Sequence, residues 1–92
     1  MDCIITIEIG TSAVRVAAFD VNGTILGHSK GAFPTFHVKP NYSEQDPEQI
    51  FITMLYMLKN FLNEKVHPKN YQVVNICFSS AMHSVLPIDK YG

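Results

Sequence analysis

From Cys3 to Ile9 the chain is β-branched and apolar almost without a break (Cys-Ile-Ile-Thr-Ile-Glu-Ile), and it then meets Gly10-Thr11-Ser12. A run of that kind suits a strand covered on both faces, and the small triplet after it interrupts the strand as a turn. Strand character resumes from Ala13 to Phe19 and stops at Asp20-Val21-Asn22-Gly23. Asn-Gly between two strand-like runs predicts a hairpin, because both turn residues tolerate positive φ. The returning strand runs from Thr24 to Ser29, with room to extend through Ala32 and Phe33. The first three elements therefore read as an antiparallel meander.

Pro34 to Ser43 reads as a loop bounded by prolines. Asp46-Pro47 then starts a helix: Asp46 can cap, and Pro47 suits the first helical position, where no amide partner is needed. Glu48 and Gln49 follow in the first turn, the favourable end for an acid. Ile50, Met54, Met57 and Phe61 form one stripe, and Phe51, Leu55, Leu58 and Leu62 an adjacent one, so the helix carries a wide apolar face. It should end near Lys65, before His67-Pro68. Tyr71 to Phe78 is a fourth strand, expected parallel to an earlier one after a right-handed crossover. Ser79 to Ser84 reads as a polar loop, and Val85 to Ile88 begins another strand. Asp89 to Gly92 is a turn with no returning strand, so the sequence reads as stopping in mid-hairpin.

Composition narrows the function classes. A hydrophobic fraction of 47% and a charged fraction of 16% are those of a globular protein, and 92 residues support one domain at most. A net charge of −1 gives no broad attraction to nucleic acid or to an anionic membrane, so neither is an expected partner. The start, Met1-Asp2-Cys3, lacks the basic region of a signal peptide, and the helix, interrupted by Thr53, Lys59 and Asn60, should not span a bilayer. The expected location is cytoplasmic. Cys3 and Cys77 both lie in strand-like runs; they could be bridged only if those strands were adjacent, and buried free thiols are the preferred reading. His28, His37, His67 and His83 are scattered with no cysteine partner nearby, so a metal-binding protein is not expected.

Glu8-Ile9-Gly10-Thr11-Ser12-Ala13-Val14-Arg15 carries the most chemical information. Gly10 has no Cβ to hold an anion away from backbone amides. Thr11 and Ser12 add hydroxyl donors, and successive amides in a tight turn can form an anion-binding concavity. Arg15 supplies a permanent fork-shaped cation suited to phosphate, and Glu8 offers a hard oxygen to Mg²⁺ or one of its waters. The alternative is an ordinary hairpin whose turn happens to contain Gly, Thr and Ser, with Glu8 facing solvent and Arg15 a surface cation.

Three stretches together resemble the FGGY carbohydrate kinases. Ile9-Gly10-Thr11-Ser12 with Arg15 is similar to that family's first phosphate motif, Asp-hydrophobic-Gly-Thr-Ser/Thr followed by Lys or Arg; Glu8 stands where the family has Asp. Ser43-Glu44-Gln45-Asp46-Pro47 resembles its Trp-x-Glu-Gln-Asp-Pro segment, with Tyr42-Ser43 in place of Gly-Trp. Phe78-Ser79-Ser80-Ala81-Met82-His83-Ser84 resembles the segment after the next strand, where xylulose kinases read Gly-Gln-Met-His-Gly. Ala81 replaces their Gln, and the wording is most similar to that of bacterial gluconate kinases. The motifs stand in family order across nearly the whole chain.

The resemblance implies an actin/hexokinase-type, ribonuclease-H-like α/β fold: a mixed sheet of three antiparallel strands, then a helix and a parallel strand. Residues 1–92 would be the N-terminal part of the first kinase domain, an incomplete domain. It implies Gly10, Thr11, Ser12 and Arg15 on the phosphates of ATP, with Mg²⁺ reached from Glu8 through water, and Met82 and His83 against a sugar or sugar acid. His83 could donate to or accept from a substrate hydroxyl according to its tautomer. Gluconate is the favoured substrate, ahead of xylulose or glycerol. The catalytic Asp, the second phosphate loop and the adenosine pocket are implied to lie in later sequence, so the fragment alone should be inactive and should self-associate through its uncovered apolar surface. A non-catalytic nucleotide-binding module on the same fold, and an inert interaction fragment, are the rival readings.

Overall fold

The computed structural model describes residues 1–37, 40, 44–80, 88, 90 and 91. Their elements are β1 (Asp2–Ile9), β2 (Ala13–Asp20), β3 (Ile25–Ala32), α1 (Pro47–Phe61) and β4 (Gln72–Ser80), with a π-helical turn over Leu62–Val66 and a 3₁₀ turn over His67–Lys69 between α1 and β4. The strands form one sheet in the order β3-β2-β1-β4. β1–β2 and β2–β3 are antiparallel and β4 lies parallel to β1, which is the meander-then-parallel arrangement the sequence predicts.

Alternation sorts the strand residues onto two faces. Cys3, Ile5 and Ile7 of β1 and Val14, Val16 and Ala18 of β2 are buried on one face, where α1 lies across β2 and β3. Phe33, Met54, Phe61 and Val66 complete the core. Fully burying aliphatic or aromatic side chains of this size contributes about 1.5–3 kcal/mol each. The opposite face carries Glu8, Arg15 and Lys30, all exposed.

The turn after β2 differs from the Asn-Gly turn expected. Only Gly23 takes a positive φ (87°), whereas Asn22 does not. The loop instead spans 21–23, closed by Asp20 N donating to the Thr24 carbonyl (2.9 Å) and Gly23 N to the Asp20 carbonyl (3.1 Å). The Asp20 carboxylate accepts from Asn22 N and Thr24 N, each at 2.9 Å, so the acid before the Asn-Gly pair organises the loop. A separate irregularity follows the loop: the β2–β3 register shifts between Ala18 and Phe19, leaving Leu26 as an additional residue.

The helix begins as expected: Asp46 accepts from Glu48 N at 3.0 Å and Pro47 follows. Its face is narrower than the two stripes suggest. Met54 and Phe61 are buried and Ile50, Met57, Leu58 and Leu62 pack beside the core, but Phe51 (57% exposed) and Leu55 (46%) face outward. The α-geometry stops at Phe61, and the π turn carries the helical course on to Val66. An i→i+5 ring brings residues five apart onto one face. Phe61 and Val66 are both fully buried, whereas regular α-spacing would turn residues five apart about 140° from each other. Asn70 ends the segment in the left-handed region (φ 56°).

β4 is longer than expected, because Ser79 and Ser80 stay in the ladder opposite Glu8 and Ile9 rather than opening a loop. Its register shifts between Cys3 and Ile4, leaving Val74 as an additional residue. The strands carrying the cysteines are adjacent, yet Cys3 pairs with Val73 and Cys77 with Thr6. Both thiols are free; Cys3 is buried as expected, but Cys77 is exposed, because it stands beside Thr6 on the sheet face opposite α1. The strand expected over Val85–Ile88 falls on residues of which 85–87 lie outside the described set.

Candidate functional site

Thr11 and Ser12 are the only residues between Gly10 and Ala13, whose N–H and carbonyl close the β1–β2 hairpin at 2.9 Å. That bond engages the Gly10 amide, so the anion donors of this turn are those of Thr11 and Ser12. Gly10 is not held at positive φ, and a Cβ built there would meet only the Ala13 carbonyl oxygen at 3.5 Å, an ordinary contact. The backbone therefore does not demand glycine at this position.

An open cavity of about 160 Å³ lies against the turn, lined by Glu8, Gly10, Thr11, Ser12, Ala13, Arg15 and Lys30. Five of these are the residues the sequence singles out, gathered because β1 ends and β2 begins at one end of the sheet. Glu8 stands opposite Arg15 across β1 and β2, and Arg15 stands opposite Lys30 across β2 and β3. Among the described residues Glu8 is the single carboxylate lining the cavity, and no group of three His, Cys, Asp or Glu side chains comes together.

Two residues of this region escaped the sequence reading. Lys30 sits outside the turn motif, and only strand register brings it beside Arg15. Gln45 donates from Nε2 to the Thr11 carbonyl and to Thr35 Oγ1 (3.0 Å), fastening the helix-opening segment to the turn. The same segment forms a short antiparallel bridge in which Phe36 and Glu44 exchange backbone hydrogen bonds of 2.6 and 2.7 Å. A glutamine just before a helix cap was the available signal, but its partner lies 34 positions away. Met82 and His83 lie outside the described residues. β4 reaches Ser80 beside Ile9, so it leads toward the end of the sheet where the turn stands. Among the described residues no helix is long and apolar enough to cross a membrane.

Residues 3–92 match the model of the FGGY family of carbohydrate kinases, N-terminal domain. The chain is 35% identical over 92 residues to a xylulose kinase of Staphylococcus xylosus, covering all of this chain and 18% of that protein. It is 33% identical over 84 residues to a gluconokinase of Bacillus subtilis (strain 168), covering 91% of this chain and 16% of the relative. Its backbone is similar to the crystal structure of a ligand-bound xylulose kinase from Lactobacillus acidophilus, with a TM-score of 0.81 and 25% identity over 91% of this chain and 16% of that one. The chain thus spans less than a fifth of the length of these relatives. With the family match spanning residues 3–92 and a similar backbone over 91% of the chain, the chain belongs to the FGGY family of carbohydrate kinases.

Proposed function

We propose that residues 1–92 form the N-terminal part of the first domain of an ATP-dependent kinase that transfers the γ-phosphoryl group to a hydroxyl of a sugar or sugar acid. The observation that carries this reading is the cavity that joins Thr11, Ser12 and Arg15 at the β1–β2 turn. Phosphoryl transfer needs cradled phosphates more than covalent chemistry from the protein, and a turn with paired donors and a guanidinium supplies that. ATP brings the transferable group, and Mg²⁺ neutralises charge on its phosphate oxygens.

The donor set suits the phosphate tail: Gly10, Thr11, Ser12 and Arg15 line one open cavity and its main side-chain donors are exposed. It also suits Mg²⁺ held through water, because that ion keeps several waters and takes one or two carboxylates alongside substrate phosphates; Glu8 is the carboxylate in place. Met82 and His83 serve the sugar side in this reading. Gluconate ranks first because Ala81 stands where xylulose kinases carry Gln, although identity to the two kinds of relative is nearly equal at 35% and 33%. Such a kinase acts in the cytoplasm, where ATP is available.

Coupled ADP-release assays of the full-length protein with gluconate, xylulose and glycerol test the reading. Turnover with gluconate foremost is expected, and Glu8→Asp should raise it modestly. Phosphate binding without ADP release from any of the three would favour a non-catalytic nucleotide-binding module. If the protein neither binds phosphate nor releases ADP, the proposal is overturned. The isolated fragment should show no turnover and should self-associate, since Val74, Ile76 and Phe78 of the edge strand and Phe51, Ile52 and Leu55 of α1 are exposed. Sedimentation showing monomer alone at high concentration would count against that association.

A further inference from the structure

We propose that Lys30 is a second cation of the phosphate cradle and contacts the same polyphosphate tail as Arg15. The inference rests on the reading of the turn as a phosphate site and adds to it a residue from a strand that the turn motif does not include.

Register supplies the first argument. Glu8, Arg15 and Lys30 occupy one row across β1, β2 and β3, on the face opposite α1. Like charges directly opposite each other on neighbouring strands destabilise a sheet. The row holds one carboxylate, opposite Arg15 alone, and two cations, so an excess positive charge borders the cavity. An anion lodged beside both cations relieves that repulsion.

The cavity supplies the second argument. Lys30 lines it together with Thr11, Ser12 and Arg15, so all four surround one space. Its side chain is exposed, which leaves the ammonium able to swing onto a ligand. The two cations differ usefully: the Arg15 guanidinium can clamp two oxygens in a plane, whereas the Lys30 ammonium acts as a mobile point charge. A linear polyphosphate, with several charged oxygens in succession, matches that pair better than a single carboxylate does. A lysine on an edge strand also discourages strand addition from another chain. That role makes no demand on anion binding, so the two explanations part in experiment.

The test uses the full-length protein and inorganic tripolyphosphate as the probe, titrated calorimetrically and by thermal shift. Lys30→Gln should weaken tripolyphosphate binding roughly 10- to 100-fold, the usual effect of losing a charge-assisted contact. The ligand-free Lys30→Gln protein should melt no lower than wild type, and Lys30→Arg should keep affinity within about threefold. In wild-type protein, saturating tripolyphosphate should also shield Lys30 from acylation by acetic anhydride, read by peptide mass spectrometry; this measurement needs no variant. If Arg15→Gln weakens binding while Lys30→Gln does not, or if Lys30 acylates equally fast with and without the probe, the Lys30 proposal is wrong and the phosphate turn stands. If wild type fails to bind tripolyphosphate and ATP altogether, the underlying reading of the turn fails with it.

Discussion

Gly27 and Gly31 sit on the same face of β3, opposite the buried Ala18 and Val14, and α1 passes over both. A methyl added at Gly27 would lie 3.9 Å from the Phe61 ring and from Lys65 Cβ, an ordinary contact. A methyl added at Gly31 would come within 2.7 Å of Met57 Sδ, closer than non-bonded atoms stand, and would crowd its Cγ at 3.1 Å. Gly27→Ala should therefore gain about 0.8 kcal/mol from a newly buried methyl and recover part of the 0.5–1 kcal/mol that glycine costs inside a strand. A net stabilisation of about 1 kcal/mol is expected. Gly31→Ala gains the same terms but must displace Met57, and overpacking costs about 1–3 kcal/mol. Methionine yields more readily than most side chains, so the net loss should be near 1 kcal/mol. The twin substitutions should thus differ by about 2 kcal/mol with opposite signs, or roughly 4–8 °C in melting temperature for a domain of ordinary size. Differential scanning calorimetry of the full-length protein, with hydrogen exchange of β3 amides to localise the effect, measures this. Adding Met57→Ala to Gly31→Ala should recover about 1 kcal/mol of coupling energy. Equal shifts of the same sign at both glycines would refute the reasoning, because they would mean that α1 does not press on β3 at Met57.

Other outcomes follow from single contacts. Asp46→Ala should cost about 1 kcal/mol, with Asp46→Ser retaining most of the stability, since the carboxylate caps α1 through Glu48 N; thermal denaturation decides it. Gln45→Ala should weaken tripolyphosphate binding several-fold by releasing the Thr11 carbonyl, and Gln45→Glu should weaken it further because an oxygen then faces that carbonyl; titration of both variants checks the order. Iodoacetamide should label Cys77 in the folded protein and reach Cys3 only on unfolding. Cys77 is exposed, and burial both shields Cys3 and pushes its thiol above the ordinary value, which lowers its thiolate fraction. Mass spectrometry of the labelled peptides reads the difference.

What could be read from the residues was what neighbours in sequence determine. The β1–β2 turn, the Asp46-Pro47 helix start and the stripe through Met54 and Phe61 depend on short spacings, and they stand where those spacings put them. The π turn did not show, because it answers a tertiary demand: Val66 must share a side with Phe61. The Asn-Gly pair predicts a left-handed Asn22, yet the Asp20 side chain favours a different loop. In the candidate site, the cluster from Glu8 to Arg15 was legible because it is contiguous. Lys30 and Gln45 were not, since each reaches the turn through a register or a long-range hydrogen bond that no local pattern announces.

The additional residue at Val74 decides which side chain ends up next to Glu8. Counted along a regular ladder from Cys3 and Val73, Glu8 would neighbour Phe78, and a phenyl ring would stand at the head of the charged row. A shift of one position exchanges the two sides of a strand. Because β4 is delayed by one step, Ser79 takes that place and Phe78 turns to the helix side with Ile7. An irregularity at the far end of a strand thus selects a hydroxyl over a hydrocarbon where a charged ligand would arrive.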